Sequence, residues 1–204
     1  MFKIFCVTNR RLCREDFFAR LERIAESSVS GIILREKDLN EREYLELAQK
    51  AVGVCKENRD KLILHSHMGV AKALKIDKIH LPLPVFENNY EQAEDFKTVG
   101  TSIHSPEQLR QAESLGAGYV TAGHIFATDC KKGLAPRDVE FLQRVCDVSK
   151  IPVYAIGGIN LKTIPRLAEV KSPMFKGVCI MSEFMACNTP EVLAEDITEM
   201  LNKI

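Results

Sequence analysis

The segment Gly118 to Gly133, GYVTAGHIFATDCKKG, gathers reactive side chains directly behind a strand-like run. Tyr119, Val120, Thr121 and Ala122 form the short apolar stretch of a strand buried on both faces, and Gly123 ends it. His124 comes next, and Thr128, Asp129, Cys130, Lys131 and Lys132 precede a helical pattern that resumes at Arg137. Strand, polar groups, then helix is the order in which parallel α/β proteins build sites at the carboxyl ends of their strands. Imidazole titrates near neutrality and can pass a proton in both directions, so His124 is the leading candidate for an acid/base.

Other strand ends carry complementary chemistry. Arg35 and Lys37 alternate along an extended segment behind an apolar run, which puts a bidentate and a point cation on one side for an anionic ligand. Gly157 and Gly158, followed by Asn160 as a helix cap, offer backbone amides to a phosphate, and Ser182 follows the last strand-like run. Structural or site-lining roles suit His65, His67 and His80, and no pair of them has the helical spacing of metal ligands. Cys130, beside two lysines, ranks below His124 because a cationic loop does not by itself make a thiol a nucleophile.

These groups need a frame that brings distant strand ends together. Strand-like runs occur at Ile4 to Val7, Gly31 to Leu34, Leu62 to Leu64, Ile79 to Leu81, Phe96 to Val99, Tyr119 to Ala122, Pro152 to Ile156 and Val178 to Met181. Helical stripes alternate with them, opened by Asp16, by an Asn40 and Glu43 capping box, by Ser105, Pro106 and Gln108, and by Thr189 and Pro190. The pattern fades between Val85 and Ala93, where no normal helix can be placed. With no hairpin signals, the alternation predicts parallel βαβ units and a compact single-domain (β/α)8 TIM barrel, weak or missing in its helix after the fourth strand. An open doubly wound sheet is the alternative. In the barrel, Arg35, Lys37, His65, His67, Ser102, His104, His124, Lys131, Gly157, Gly158 and Ser182 converge on one rim.

At 204 residues the chain suits one sizeable core, so 1–204 is expected to be one domain. Lysine plus arginine balances aspartate plus glutamate at 28 each, which gives no overall field for nucleic acid or an anionic membrane and points to a small-molecule partner. The apolar runs fall far short of the roughly 20 residues that span a bilayer, and no signal-peptide layout is visible. The seven cysteines form no C-x-x-C pair, and a cytoplasmic protein is expected. Copies of so small a barrel could bury apolar helix faces against one another as a homodimer.

Four segments in order, LREKD (Leu34 to Asp38), TSIHSPEQ (Thr101 to Gln108), GHIFATDCKKG (Gly123 to Gly133) and AIGGI (Ala155 to Ile159), make the chain resemble the thiamine phosphate synthase/TenI superfamily over essentially its whole length. The resemblance implies a (β/α)8 barrel that handles phosphorylated thiazole and pyrimidine intermediates of thiamine biosynthesis. Synthases of this superfamily couple a pyrimidine pyrophosphate to a thiazole phosphate. Their pattern implies a Gln before the Arg, an Asn-Asp pair leaving the third strand and a further Asp after the fourth, where this chain has Ile33, His65 with Ser66, and Val85. The carboxylates that hold Mg²⁺ against pyrophosphate are therefore missing from those positions. Gly-His followed by Phe and Thr-Asp-Cys-Lys-Lys-Gly is closer to the TenI branch.

That resemblance implies an isomerase, a thiazole tautomerase that aromatises a carboxythiazole phosphate by proton transfer through His124, with no cofactor. In it, Gly157, Gly158 and Ser182 hold the phosphate, Arg35, Lys37 and Lys131 meet carboxylate or phosphate, and Ser102 and Thr128 match family site positions. His65 and Cys130 line the site, with no metal ligand. The alternatives are a thiamine-phosphate synthase, which would use Mg²⁺, and a non-catalytic regulatory barrel that binds thiamine metabolites.

Overall fold

The computed structural model describes residues 1–131 and 133–204, with the side chain of Cys130 outside that description. Strands β1 (Lys3–Val7), β2 (Gly31–Leu34), β3 (Leu62–His65), β4 (Lys78–Pro82), β5 (Thr98–Ile103), β6 (Tyr119–Gly123), β7 (Val153–Ile156) and β8 (Phe175–Ile180) are all parallel and close into a barrel in chain order. The helices are α1 (Phe17–Glu26), α2 (Glu41–Cys55), α3 (Met68–Ala73), α4 (Leu83–Asn88), α5 (Tyr90–Ala93), α6 (Pro106–Ser114), α7 (Asp138–Val148), α8 (Ser182–Ala186) and α9 (Pro190–Leu201).

The near-continuous apolar strands split into two faces by simple alternation. Ile4, Cys6, Ile32, Leu34, Leu62, Leu64, Ile79 and Leu81 point outward into the main core beneath the helices. Phe5, Val7, Ile33, Ile63, Tyr119, Tyr154 and Cys179 point inward and form a separate core that plugs the barrel. That plug leaves the inward positions nearer the carboxyl ends to polar groups.

Local signals set the helix starts. Asp16 accepts from the amides of Phe18 and Ala19 at 3.0 and 2.9 Å, and Asn40 with Glu43 forms the expected reciprocal capping box of α2. Ser105 accepts from the Gln108 amide, whereas the Gln108 side chain takes the His104 amide.

Four elements differ from the sequence reading, one of them the eighth strand, which begins at Phe175 rather than Val178. The fifth strand begins at Thr98 rather than Phe96 and runs to Ile103, because its inward residues Thr98, Gly100 and Ser102 are small or polar and leave no apolar alternation to read. The segment after β4 holds two short helices, α4 and α5, broken at Asn89. The helix expected behind Gly157 and Gly158 is instead a turn followed by a short 3-10 segment, Ile164–Glu169. Asn160 closes that turn by accepting from the amides of Lys162 and Thr163.

One buried phenol ties the strand exits to α2. Tyr44 donates to the Leu34 carbonyl at 2.6 Å and accepts from the His65 amide at 3.0 Å, which continues the β2–β3 ladder where direct pairing stops. Tyr44→Phe leaves both backbone groups unpaired and is expected to cost about 2 kcal/mol. Differential scanning calorimetry should record a fall in Tm of roughly 4–8 °C; an unchanged Tm would show that the phenol does not support the exits.

Candidate active site

The LREKD segment leaves β2 with its charges sorted by side. Glu36, 2% exposed, accepts from the Thr8 hydroxyl at 2.7 Å and the Arg10 amide at 3.0 Å, and it pairs with the Arg10 guanidinium at 3.0 Å. Asp38 takes a bidentate hold on the same guanidinium and a further bond from Arg11. The Arg10 hydrogen bond holds the Asp38 carboxyl down at about 2. Thr8 also accepts from the Arg35 amide at 2.9 Å, so the exits of β1 and β2 are fastened together. Glu36 and Asp38 are both fixed on the Arg10 side, and Lys37 stands between them in the turn that the Leu39 amide closes on the Glu36 carbonyl. The Lys37 ammonium is held below the ordinary lysine range, first by partial burial and then by the charges of Arg35 and Lys131. Three cations from two strand exits therefore share one field.

Behind them stands a pair of imidazoles. The rings of His65 and His80 stack with centroids 5.8 Å apart. Burial pushes His65 down to about 2 and His80 to about 3, helped at His65 by His80 and at both by the Arg35 charge, so both are neutral at physiological pH. His65 Nδ1 lies 2.8 Å from Ser66 Oγ. His80 lies 3.1 Å from the Tyr119 hydroxyl through Nδ1 and 2.9 Å from Ser102 Oγ through Nε2, and Thr121 donates to Ser102 at 2.9 Å. His67 turns away and stacks on Tyr44 at 4.2 Å. Reading the sequence by residue type passes over Glu36, Tyr119 and Thr121. The period-2 pattern of YVTAG was the available signal for the last two, since it sets Tyr119 and Thr121 on the inward face.

At the β6 exit the loop folds back over its own start. The amides of Arg137 and Asp138 donate to the carbonyls of His124 and Ile125, and His104 Nδ1 donates to the Gly123 carbonyl at 2.6 Å. His124 is 6% exposed, with Nε2 at 3.4 Å from the Leu134 carbonyl, so its ring lies under this loop. Above it, Ala127, Thr128, Asp129, Lys131, Gly133 and Leu134 line an open cleft of about 350 Å³. The Cys130 side chain and Lys132 lie outside the described residues.

The glycine pair has a packing reason. A Cβ on Gly157 would overlap His124 Cβ, and one on Gly158 would press on the Ala127 carbonyl, so the β7 exit can pass beneath the β6 loop only without side chains. The expected helix dipole behind the pair is absent, because residues 160–163 close on themselves. Ser182 is exposed at the start of the five-residue α8.

The residues at the rim do not fit magnesium, which takes carboxylate, carbonyl or water oxygens. The third and fourth strand exits present His65, Ser66, His67 and Pro82, and Glu36 and Asp38 are held by Arg10, which leaves Asp129 as the one carboxylate among the described residues lining the cleft. Among the described residues no group of three or more His, Cys, Asp or Glu is placed to hold a metal ion.

Comparison with known proteins agrees with the fold and corrects the expected chemistry. The profile of the thiamine monophosphate synthase family matches residues 4–184. The thiamine-phosphate synthase of Fusobacterium nucleatum is 28% identical over 204 residues, covering 98% of this chain and 97% of that one. The thiamine-phosphate synthase of Halalkalibacterium halodurans is 30% identical over 212 residues, covering 99% and 96%. A solved thiamine phosphate pyrophosphorylase from Pyrococcus furiosus superposes with a TM-score of 0.81 at 24% identity, covering 99% of this chain and 96% of that one, and shares the fold. The expectation of a thiazole tautomerase, an isomerase, is overturned by these relatives, which carry the name of the synthase, a transferase. The profile match over residues 4–184 and the relatives agree on one identification: the chain belongs to the thiamine monophosphate synthase family.

Proposed function

We propose that this protein is a transferase of the thiamine-phosphate synthase type, which joins a pyrimidine pyrophosphate to a thiazole phosphate and releases pyrophosphate. The observation that carries this reading is the shared field of Arg35, Lys37 and Lys131 at one rim, with the carboxylates of the same segment turned into Arg10 and Arg11. Coupling forms a carbon–nitrogen bond and breaks a carbon–oxygen bond, and the electron pair leaves with the pyrophosphate. Negative charge therefore grows on the leaving group in the transition state, where cations already in place stabilise it most.

Arg35 and Lys37 receive the pyrophosphate from the β2 exit and Lys131 from the β6 loop. Thr128 lines the cleft beside Lys131, and Gly157, Gly158 and Ser182, at the neighbouring β7 and β8 exits, are assigned to the second phosphate. No proton is abstracted from carbon in this reaction, so the buried His124 shapes the β6 exit. The Gly-His and Thr-Asp-Cys-Lys-Lys-Gly residues that resemble the TenI branch fall within that exit. A cytoplasmic setting fits the free thiols among the described cysteines.

Incubation with the two substrates is expected to release pyrophosphate in step with the coupled product; substrates that return unchanged would refute the transferase reading. Lys37→Met is expected to lower kcat/KM by roughly 10–100-fold through the lost charge-assisted contact, with Tm unchanged or slightly raised because a repelling cation is removed. The ammonium is charged only below its depressed pKa, so wild-type pyrophosphate affinity should fade as pH rises through that value, and the same alkaline limb should be missing in Lys37→Met. A Lys37→Met enzyme with unaltered kcat/KM would place the anion elsewhere.

A further inference from the structure

The inward network behind the cations settles which way one hydroxyl points. His80, Gly100 and Tyr119 are neighbours in register across β4, β5 and β6, and Pro82, Ser102 and Thr121 form the next level toward the rim. Gly100 has no side chain, and a Cβ there would overlap the Tyr119 ring. The phenol therefore crosses β5 and reaches His80 Nδ1. The other imidazole nitrogen meets Ser102 one level up, where Thr121 also donates.

We propose that Tyr119 and His80 act as positioning residues that hold Ser102 as an obligatory hydrogen-bond donor toward an anionic oxygen of the bound ligand. A neutral imidazole carries one N–H. Tyr119 is buried, and among the described residues its hydroxyl meets His80 Nδ1. A proton on Nδ1 would leave the phenol hydrogen buried without an acceptor, which is unfavourable. The phenol therefore donates to Nδ1, and Nε2–H donates to Ser102 Oγ. That oxygen already accepts from Thr121, so both of its lone pairs are occupied. Its own hydrogen has one direction left, into the basin. Burial, and after it the Arg35 charge, keeps His80 neutral. The wall thus selects a ligand atom that accepts, such as a phosphate or pyrophosphate oxygen, over an amino or hydroxyl donor.

The inference deepens the transferase reading and rests on it for the nature of the anion alone. Nitrogen-15 spectra of the histidine-labelled wild-type protein, with the His80 ring assigned through its own backbone, are expected to show a protonated Nε2 and a bare Nδ1 at neutral pH. A protonated Nδ1 would overturn the proposal. Calorimetric titration with inorganic pyrophosphate then tests the line of action. Ser102→Ala is expected to weaken binding roughly tenfold. Tyr119→Phe is expected to weaken it about threefold by freeing the other tautomer, with no further loss when Ser102→Ala is already present. Independent, additive losses would show that Tyr119 does not act through Ser102. Should Tyr119→Phe fail to fold, the wild-type spectrum decides. Pyrophosphate binding with the expected tautomer but no turnover would leave this proposal standing and remove the transferase reading.

Discussion

The buried carboxylate of Glu36 is the constraint on which the basin depends. By engaging the Thr8 hydroxyl, the Arg10 amide and the Arg10 guanidinium, it fastens the exits of β1 and β2. Arg35 directly follows β2 in the phase of the inward residue Ile33, and Lys37, in the turn that comes next, feels its charge. A buried charge is tolerable only with full hydrogen bonding, and the partners here supply it. The arrangement gathers positive charge on one side by binding negative charge on the other.

The inner wall follows the same logic with neutral groups. His65 and His80 are too enclosed, and too near Arg35, to take a second proton, so they serve as uncharged links between the apolar plug and the rim. The plug of Phe5, Tyr119 and Tyr154 fills the lower barrel with rings whose centroids lie 4.6–5.6 Å apart. Only the top of the barrel is left open to polar side chains, which is why strand-end residues rather than mid-strand residues make the basin.

Much of this was legible in the sequence, for identifiable reasons. Seven of the eight strand runs announced themselves because parallel strands are buried on both faces, and the barrel followed from their even spacing. The fifth was read as Phe96 to Val99 because the small or polar inward residues Gly100 and Ser102, nearer the rim, read as the strand's end. Ile164 and Leu167 are spaced for a helix or a 3-10 turn alike, so the helix behind the glycine pair could not be told from the segment present. Arg35 and Lys37 were visible because alternation is local. Glu36 was not, since its partner Arg10 lies 26 residues away. His124 was chosen by type and position, but the loop that covers its ring is a tertiary feature, and the tautomerase inferred from it gave way to the relatives' shared name.

The account's central claim is that the anion's charge is met by side-chain cations at a rim whose donor set does not suit magnesium. Titrating inorganic pyrophosphate into the protein in excess EDTA, against the same titration with magnesium present, tests it most directly. Saturable binding of similar affinity in both, lost in part on Lys37→Met, is the predicted result; binding that appears only when magnesium is supplied would contradict the account.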